Sequence, residues 1–129
     1  MTGVGLPPKN RLRRSTEFRR VFTEGRRAAD GLLVMTAVRN EGPALRFGLA
    51  ISGRTGGAVV RNRIRRRLRE ILRELDAAPG YDVVVSARPA AATATFWRLK
   101  ESVEKLSRRL GLLTEVAGPP AAGGAGRRS

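Results

Sequence analysis

The chain has 129 residues, 26 of them Lys or Arg and 11 Asp or Glu, for a formal charge of +15, and it holds neither Cys nor His. That length allows one domain around one modest core. The missing residue types exclude disulfides, thiolate–zinc sites, thiol nucleophiles, imidazole bases and the hydrolytic triads built on them, while the charge favours a polyanionic partner.

In chain order, residues 1–10 are expected to form a flexible leader around Pro7-Pro8. They lack the apolar stretch of a signal peptide, so the expected location is the cytoplasm. No apolar run approaches the length of a membrane span. Ser15 as N-cap, Glu17 in the first turn and Gly25 as a stop predict a short helix. Phe18, Val21 and Phe22 share one side of it, surrounded by Arg13, Arg14, Arg19 and Arg20. Residues 32–38 read as a strand, 39–43 as a turn, and 45–52 as the antiparallel partner of that strand. Gly53, Gly56 and Gly57 interrupt the chain next. No Gly-Lys-Ser/Thr follows them, so they read as a flexible turn rather than a phosphate cradle.

Residues 61–69, Arg-Asn-Arg-Ile-Arg-Arg-Arg-Leu-Arg, carry the strongest pattern in the sequence. Ile64, Leu68, Ile71, Leu72 and Leu75 recur with helical spacing and define a core stripe. At about 100° per residue, Asn62, Arg65, Arg66, Arg69 and Arg73 gather on an adjoining face. Arg63 and Arg67 fall on the far flank near Glu70 and Glu74, where Arg66 or Arg67 is expected to pair with Glu70. A face crowded with arginines and free of acids repels itself unless an anion lies on it. This is a polyanion-binding surface rather than a merely solvated one.

Residues 76–80 end that helix. Tyr81–Ala87 reads as a buried strand, and Phe96, Leu99, Val103, Leu106 and Leu110 as the stripe of a last helix ending near Gly111. Trp97 lies off the stripe and is expected to be partly exposed or to cover a core edge. Residues 114–129, made mostly of Gly, Ala, Pro and Arg, are expected to be a disordered tail. The expected order is α-β-β-α-β-α: a single small α+β domain, residues 11–113, with helices packed on one sheet.

None of the carboxylates has the paired or Asp-x-Asp spacing that holds two magnesium ions. Glu17 and Glu24, Glu70, Glu74 and Asp76, and Glu101 and Glu104 are scattered over three helices. The chain alone is therefore not expected to be catalytic. Phe18 and Phe22 read first as core residues. Beside arginines and a sheet they also suit unpaired bases, although an aromatic content of 5% is too low for a broad stacking platform.

Several blocks together resemble the protein subunit of bacterial ribonuclease P. They are residues 61–66 (Arg-Asn-Arg-Ile-Arg-Arg), residues 10–14 followed by Phe18, Phe22 and Gly25, residues 46–52, residues 56–60, and residues 82–88. The resemblance spans about residues 9–113. It implies a left-handed βαβ crossover through the basic helix, against the usual hand. It also implies a division of labour in which a large RNA holds the catalytic Mg2+ and cuts precursor tRNA, while the protein binds that RNA and the 5′ leader. Carried onto this chain, Arg61, Asn62, Arg63, Arg65, Arg66 and Arg69 would contact the catalytic RNA, and Phe18, Phe22 and Thr36 would line the leader cleft. Thr36 is a departure, since some relatives have an aromatic there. Gly53-Arg54, where relatives often carry two basic residues, is another. The resemblance implies no metal held by the protein, no membrane and no DNA partner. Two alternatives stay open on the residues alone: a general RNA-binding protein or chaperone, and a DNA-binding regulator, which the strand after Gly80 disfavours.

Overall fold

The computed structural model describes residues 10–114. The expectations for the leader through residue 9 and the tail from residue 115 lie outside the described residues. Seven elements follow one another: α1 (Ser15–Glu24), β1 (Arg26–Ala29), β2 (Leu33–Arg39), β3 (Arg46–Ala50), α2 (Ala58–Arg73), β4 (Tyr81–Ala87) and α3 (Phe96–Arg109). Four strands make one sheet in the order β1-β2-β4-β3, with only β3 and β4 parallel. The connection between those two runs through α2, giving the βαβ unit that the resemblance implies.

Two expectations about the strands are corrected. Residues 46–50 do not pair with β2; they pair in parallel with β4, which lies between the two. The reason is legible in Val83, Val84 and Val85, all fully buried. A strand apolar on both faces belongs in the middle of a sheet covered on both sides, so β4 displaces the hairpin partner. Asn40 supports the resulting detour by donating to the Ala44 carbonyl at 3.0 Å and to Asp82 at 2.8 Å. The second correction is β1, whose sequence Arg-Arg-Ala-Ala lacks any β-branched residue. Pairing with β2, not propensity, makes it a strand. Asp30 sets that register, accepting from the Leu32 and Leu33 amides at 2.9 and 3.0 Å to close the turn.

Helices cover both faces. On one, α2 and α3 bring Ile64, Leu68, Ile71, Leu72, Leu99, Val103, Leu106 and Leu110 onto Leu33, Met35, Ala37, Phe47, Val83 and Val85. The predicted stripes are therefore the observed ones. On the other face, α1 packs Val21 onto Val84 and Leu12, with Phe18, Val38 and Ala50 at the edges. The N-cap of α1 is Arg14 rather than Ser15. Glu17 accepts from the Arg13 and Arg14 amides at 2.9 and 3.1 Å, reaching back over the start of the helix, while its own amide donates to the Arg14 carbonyl at 2.9 Å. The last helix is capped by Thr95, which accepts from the Arg98 amide at 3.1 Å, and ends at Gly111 with φ +73°. Among the described residues no helix is long and apolar enough to cross a membrane.

Candidate nucleic-acid interface

Helix α2 has three sides with different fates. Its apolar stripe is buried. On the flank toward α3, Arg63 donates to the Ala92 carbonyl at 3.0 Å and Arg67 to the Ala94 carbonyl at 3.1 Å. These bonds tie the helix to the 3-10 turn Pro89–Thr93 and to the entrance of α3. The expected pairing of Glu70 with Arg66 or Arg67 does not form; Glu70 accepts from Arg73 at 3.2 Å instead. Arg73, with Glu74 also near it at 3.7 Å, is thereby removed from the open cationic face.

The remaining flank is as the spacing requires. Asn62 accepts from Arg65 at 2.9 Å, which orients that guanidinium. Arg66 is exposed and has no ion-pair partner among the described residues. Arg69 sits beside Arg65 and Arg11. Partial burial, together with those two like charges, lowers its guanidinium from the ordinary value. Arg61 is half-buried, and its Nε lacks a hydrogen-bond partner among the described residues. Arg11 is an addition that sequence spacing missed. It reaches this flank because residues 11–12 pair with Phe47 on the free edge of β3, where the Leu12 amide donates at 2.8 Å.

A second surface forms on the opposite face of the sheet. Helix α1 crosses the middle row of the strands: Phe18 lies on Gly48, Val21 on Val84, and Gly25 on Thr36. A Cβ at Gly48 would stand 2.5 Å from the Phe18 ring, so the missing side chain lets the ring settle on the backbone. One flank of α1 is fixed over Asp82, which is 2% exposed. Arg46 grips Asp82 through two bonds of 3.0 and 2.9 Å and reaches Glu17 at 3.1 Å, and Arg20 stands 3.7 Å from Asp82. The amides of Arg13 and Arg14 hold the Glu17 carboxyl below its usual range, with Arg46 adding to the effect against some desolvation.

The other flank of α1 therefore looks over the next row of the sheet. Register places Ala29, Val34, Ser86 and Ala50 side by side there, all half-buried. Along α1 itself, Ser15, Phe18, Arg19, Phe22 and Thr23 line an open depression of about 400 Å³. Phe22 is 51% exposed, whereas Thr36 is 1% exposed beneath Gly25. In this conformation Thr36 offers no surface to a ligand, whereas Val34, two residues along the strand, and its cross-strand partner Ser86 are half-buried. Period-2 alternation puts Val34 and Thr36 on the same face; only the path of α1 decides which is covered.

The uncharged row lies at the C-terminal ends of β3 and β4, the end at which the chain enters α2 and α3. Among the described residues no group of three acidic side chains gathers to hold a metal ion. A cationic helix flank on one layer and a ring-walled cleft on the other define a small α+β RNA-binding protein.

The comparisons with known proteins agree. The family model described as Ribonuclease P matches residues 6–111. The ribonuclease P protein component of Beutenbergia cavernae is 46% identical over 114 residues, covering 86% of this chain and 96% of the relative. That of Roseiflexus castenholzii is 43% identical over 106 residues, covering 80% and 87%. The solved Staphylococcus aureus RNase P protein superposes with a TM-score of 0.75 at 26% identity, covering 81% of this chain and 98% of that one. The chain belongs to the ribonuclease P protein component family, and it is the protein subunit of a ribonucleoprotein endonuclease that processes tRNA, with a ribonuclease P RNA as its partner.

Proposed function

We propose that the open flank of α2 binds the ribonuclease P RNA and that the cleft between α1 and the sheet receives the 5′ leader of precursor tRNA. The observation that carries this reading is the asymmetry of α2: one flank is tied to backbone carbonyls, while Arg65, Arg66 and Arg69 face outward with an amide and no acid among them. Phosphates complete such a surface. The leader reading is supported by the exposed Phe22 ring beside Phe18 and Arg19 and by the uncharged row at that end of the sheet, which suit an unpaired strand better than a duplex. The chemistry belongs to Mg2+ held by the RNA and the substrate. Among the described residues no three acids gather to hold a metal ion and there is no His to act as a base, so the share of the protein in this reading is affinity and positioning. The place of action is the cytoplasm, with neither DNA nor a membrane as partner.

The test is cleavage of precursor tRNA by a bacterial ribonuclease P RNA at low Mg2+, with and without this protein. The expected result is cleavage at the mature 5′ end only when both are present. Equal stimulation by the protein of unrelated folding RNAs, with no rescue of ribonuclease P RNA, would favour a general RNA-binding protein. For the cleft, Phe22→Ala is a cleaner probe than Phe18→Ala, because the Phe18 ring also holds α1 on Gly48. Phe22→Ala should leave binding to the catalytic RNA intact and reduce the preference for leader-bearing substrate by about 1–3 kcal/mol.

A further inference from the structure

Trp97, the only tryptophan of the chain, is 71% exposed in the second residue of α3. It is nevertheless held. The Phe96 ring meets it edge to face, with centroids 5.2 Å apart and planes at 89°, and Phe96 itself packs against the main core. The turn that delivers Trp97 is fixed by Arg63 and Arg67 through the Ala92 and Ala94 carbonyls. An indole kept open to water on so rigid a mount is placed for contact.

The surroundings indicate what it contacts. Arg98 follows directly, and the first turn of α3 contains no acid. Of the acids further along, Glu104 is engaged by Lys100 at 2.8 Å, and the exposed Glu101, four residues on, is a same-face neighbour of the indole. Arg63 and Arg67 stand on the α2 flank that leads to it, and the exposed Arg66 precedes Arg67 in the helix. Apart from Trp97, the exposed large apolar side chains among the described residues are Val59, at the start of α2, and Phe22, on the opposite layer. So few exposed large apolar side chains among the described residues do not make the apolar core that a protein-binding surface needs.

We propose that Trp97 is a stacking platform for an unpaired base of the RNA that lies along α2. This rests on the reading of α2 as the RNA-binding helix. It adds a contact on α3, where the amphipathic pattern marks only a residue off the stripe. Arg63 and Arg67 then act as positioning residues: they hold the platform and leave phosphate contacts to Arg65, Arg66 and Arg69.

Because Trp97 is the only indole, its emission reports the contact directly. The full chain is titrated with a bacterial ribonuclease P RNA while Trp97 intensity and acrylamide accessibility are followed. Filter binding is measured in parallel for the wild type, Arg66→Ala, Trp97→Phe and Trp97→Leu. The expected result is quenching and shielding of Trp97 at saturation, an affinity loss of about 5- to 100-fold for Trp97→Leu, and near-complete rescue by Trp97→Phe. Unchanged emission and accessibility at saturation would overturn the proposal, as would equal affinities for the Phe and Leu variants. Shielding that grows with protein concentration in the absence of RNA would overturn it in favour of a contact between copies of the chain. Each of these, with Arg66→Ala still impaired, leaves the α2 reading standing; no binding by the wild type overturns both.

Discussion

On the flank of α2 that faces α3, Arg63 and Arg67 donate to backbone carbonyls at 3.0 and 3.1 Å. On the opposite flank Arg65, Arg66 and Arg69 meet an amide, solvent and one another. The residue type is the same and the helix is the same. What differs is the neighbour: a turn with unpaired carbonyls completes the first set, whereas the second is incomplete until an anion arrives. The molecule repeats this division elsewhere, for Arg46 and Arg20 converge on the buried Asp82 while Arg13, Arg14 and Arg19 point outward. A net charge therefore does not locate a binding surface; the arginines left over after the fold has used the others do.

The sharpest way to break that distinction is through the arginines tied into the fold. Arg46→Ala would leave Asp82 buried with only Asn40 and a distant Arg20, and the expected loss is about 3 kcal/mol of stability in denaturant unfolding. A loss below ~0.5 kcal/mol would mean that the network is ornamental and that α1 is held by Val21 and Phe18 alone.

Asp30 supplies the next test, through pH. Burial by itself would raise its carboxyl, but the Ser102 hydroxyl, the Leu33 and Leu32 amides and the Lys105 ammonium outweigh that and hold it at about 2. A folded value below the unfolded one, about 3.9, contributes stability that is present above pH ~4 and is lost as pH falls through 2. Acid unfolding of the wild type should show this loss, and Asp30→Asn should flatten it by about 2 kcal/mol. The variant should also loosen the β1–β2 turn, read as faster amide exchange in residues 26–33.

Arg67→Ala should cost less, about 1–2 kcal/mol, because one charge-assisted bond to the Ala94 carbonyl is lost at a partly open site. Its RNA-binding salt slope should stay near that of the wild type. A flattened slope with unchanged stability would move Arg67 to the other side of the comparison.

The apolar half of this architecture was legible from spacing. Ile64, Leu68, Ile71 and Leu72, and Leu99, Val103, Leu106 and Leu110, are the buried stripes because helical periodicity records which face meets the sheet. Partners across the sheet were not legible from local pattern, since β1 is a strand only by pairing and β3 yields its place beside β2 to the triple valine of β4. The site divided in the same way. Arg65, Arg66 and Arg69 followed from the helix itself. The roles of Arg63 and Arg67 depend on carbonyls about 27 to 29 residues away, as the separations in their bonds record, and the closure of Thr36 depends on where α1 crosses. Resemblance supplied the function, but it carried over Thr36 and Arg63 by position, and position alone does not register what a neighbouring element covers.

The smallest effect on the fold, and the most direct reading of the open flank, comes from Arg66. It is exposed and without an ion pair among the described residues, so Arg66→Ala should change stability by less than about 0.5 kcal/mol. Its RNA affinity should fall, and the slope of log affinity against log salt should flatten by about one, as expected when one phosphate contact and its released counterion are lost. Arg69→Ala should flatten the slope equally but weaken binding less, because removing it also relieves repulsion with Arg11 and Arg65 that the free protein otherwise carries. If both variants keep the wild-type slope, phosphates do not lie on this flank. The excess charge of α2 would then act only at long range, steering RNA toward a surface elsewhere on the chain.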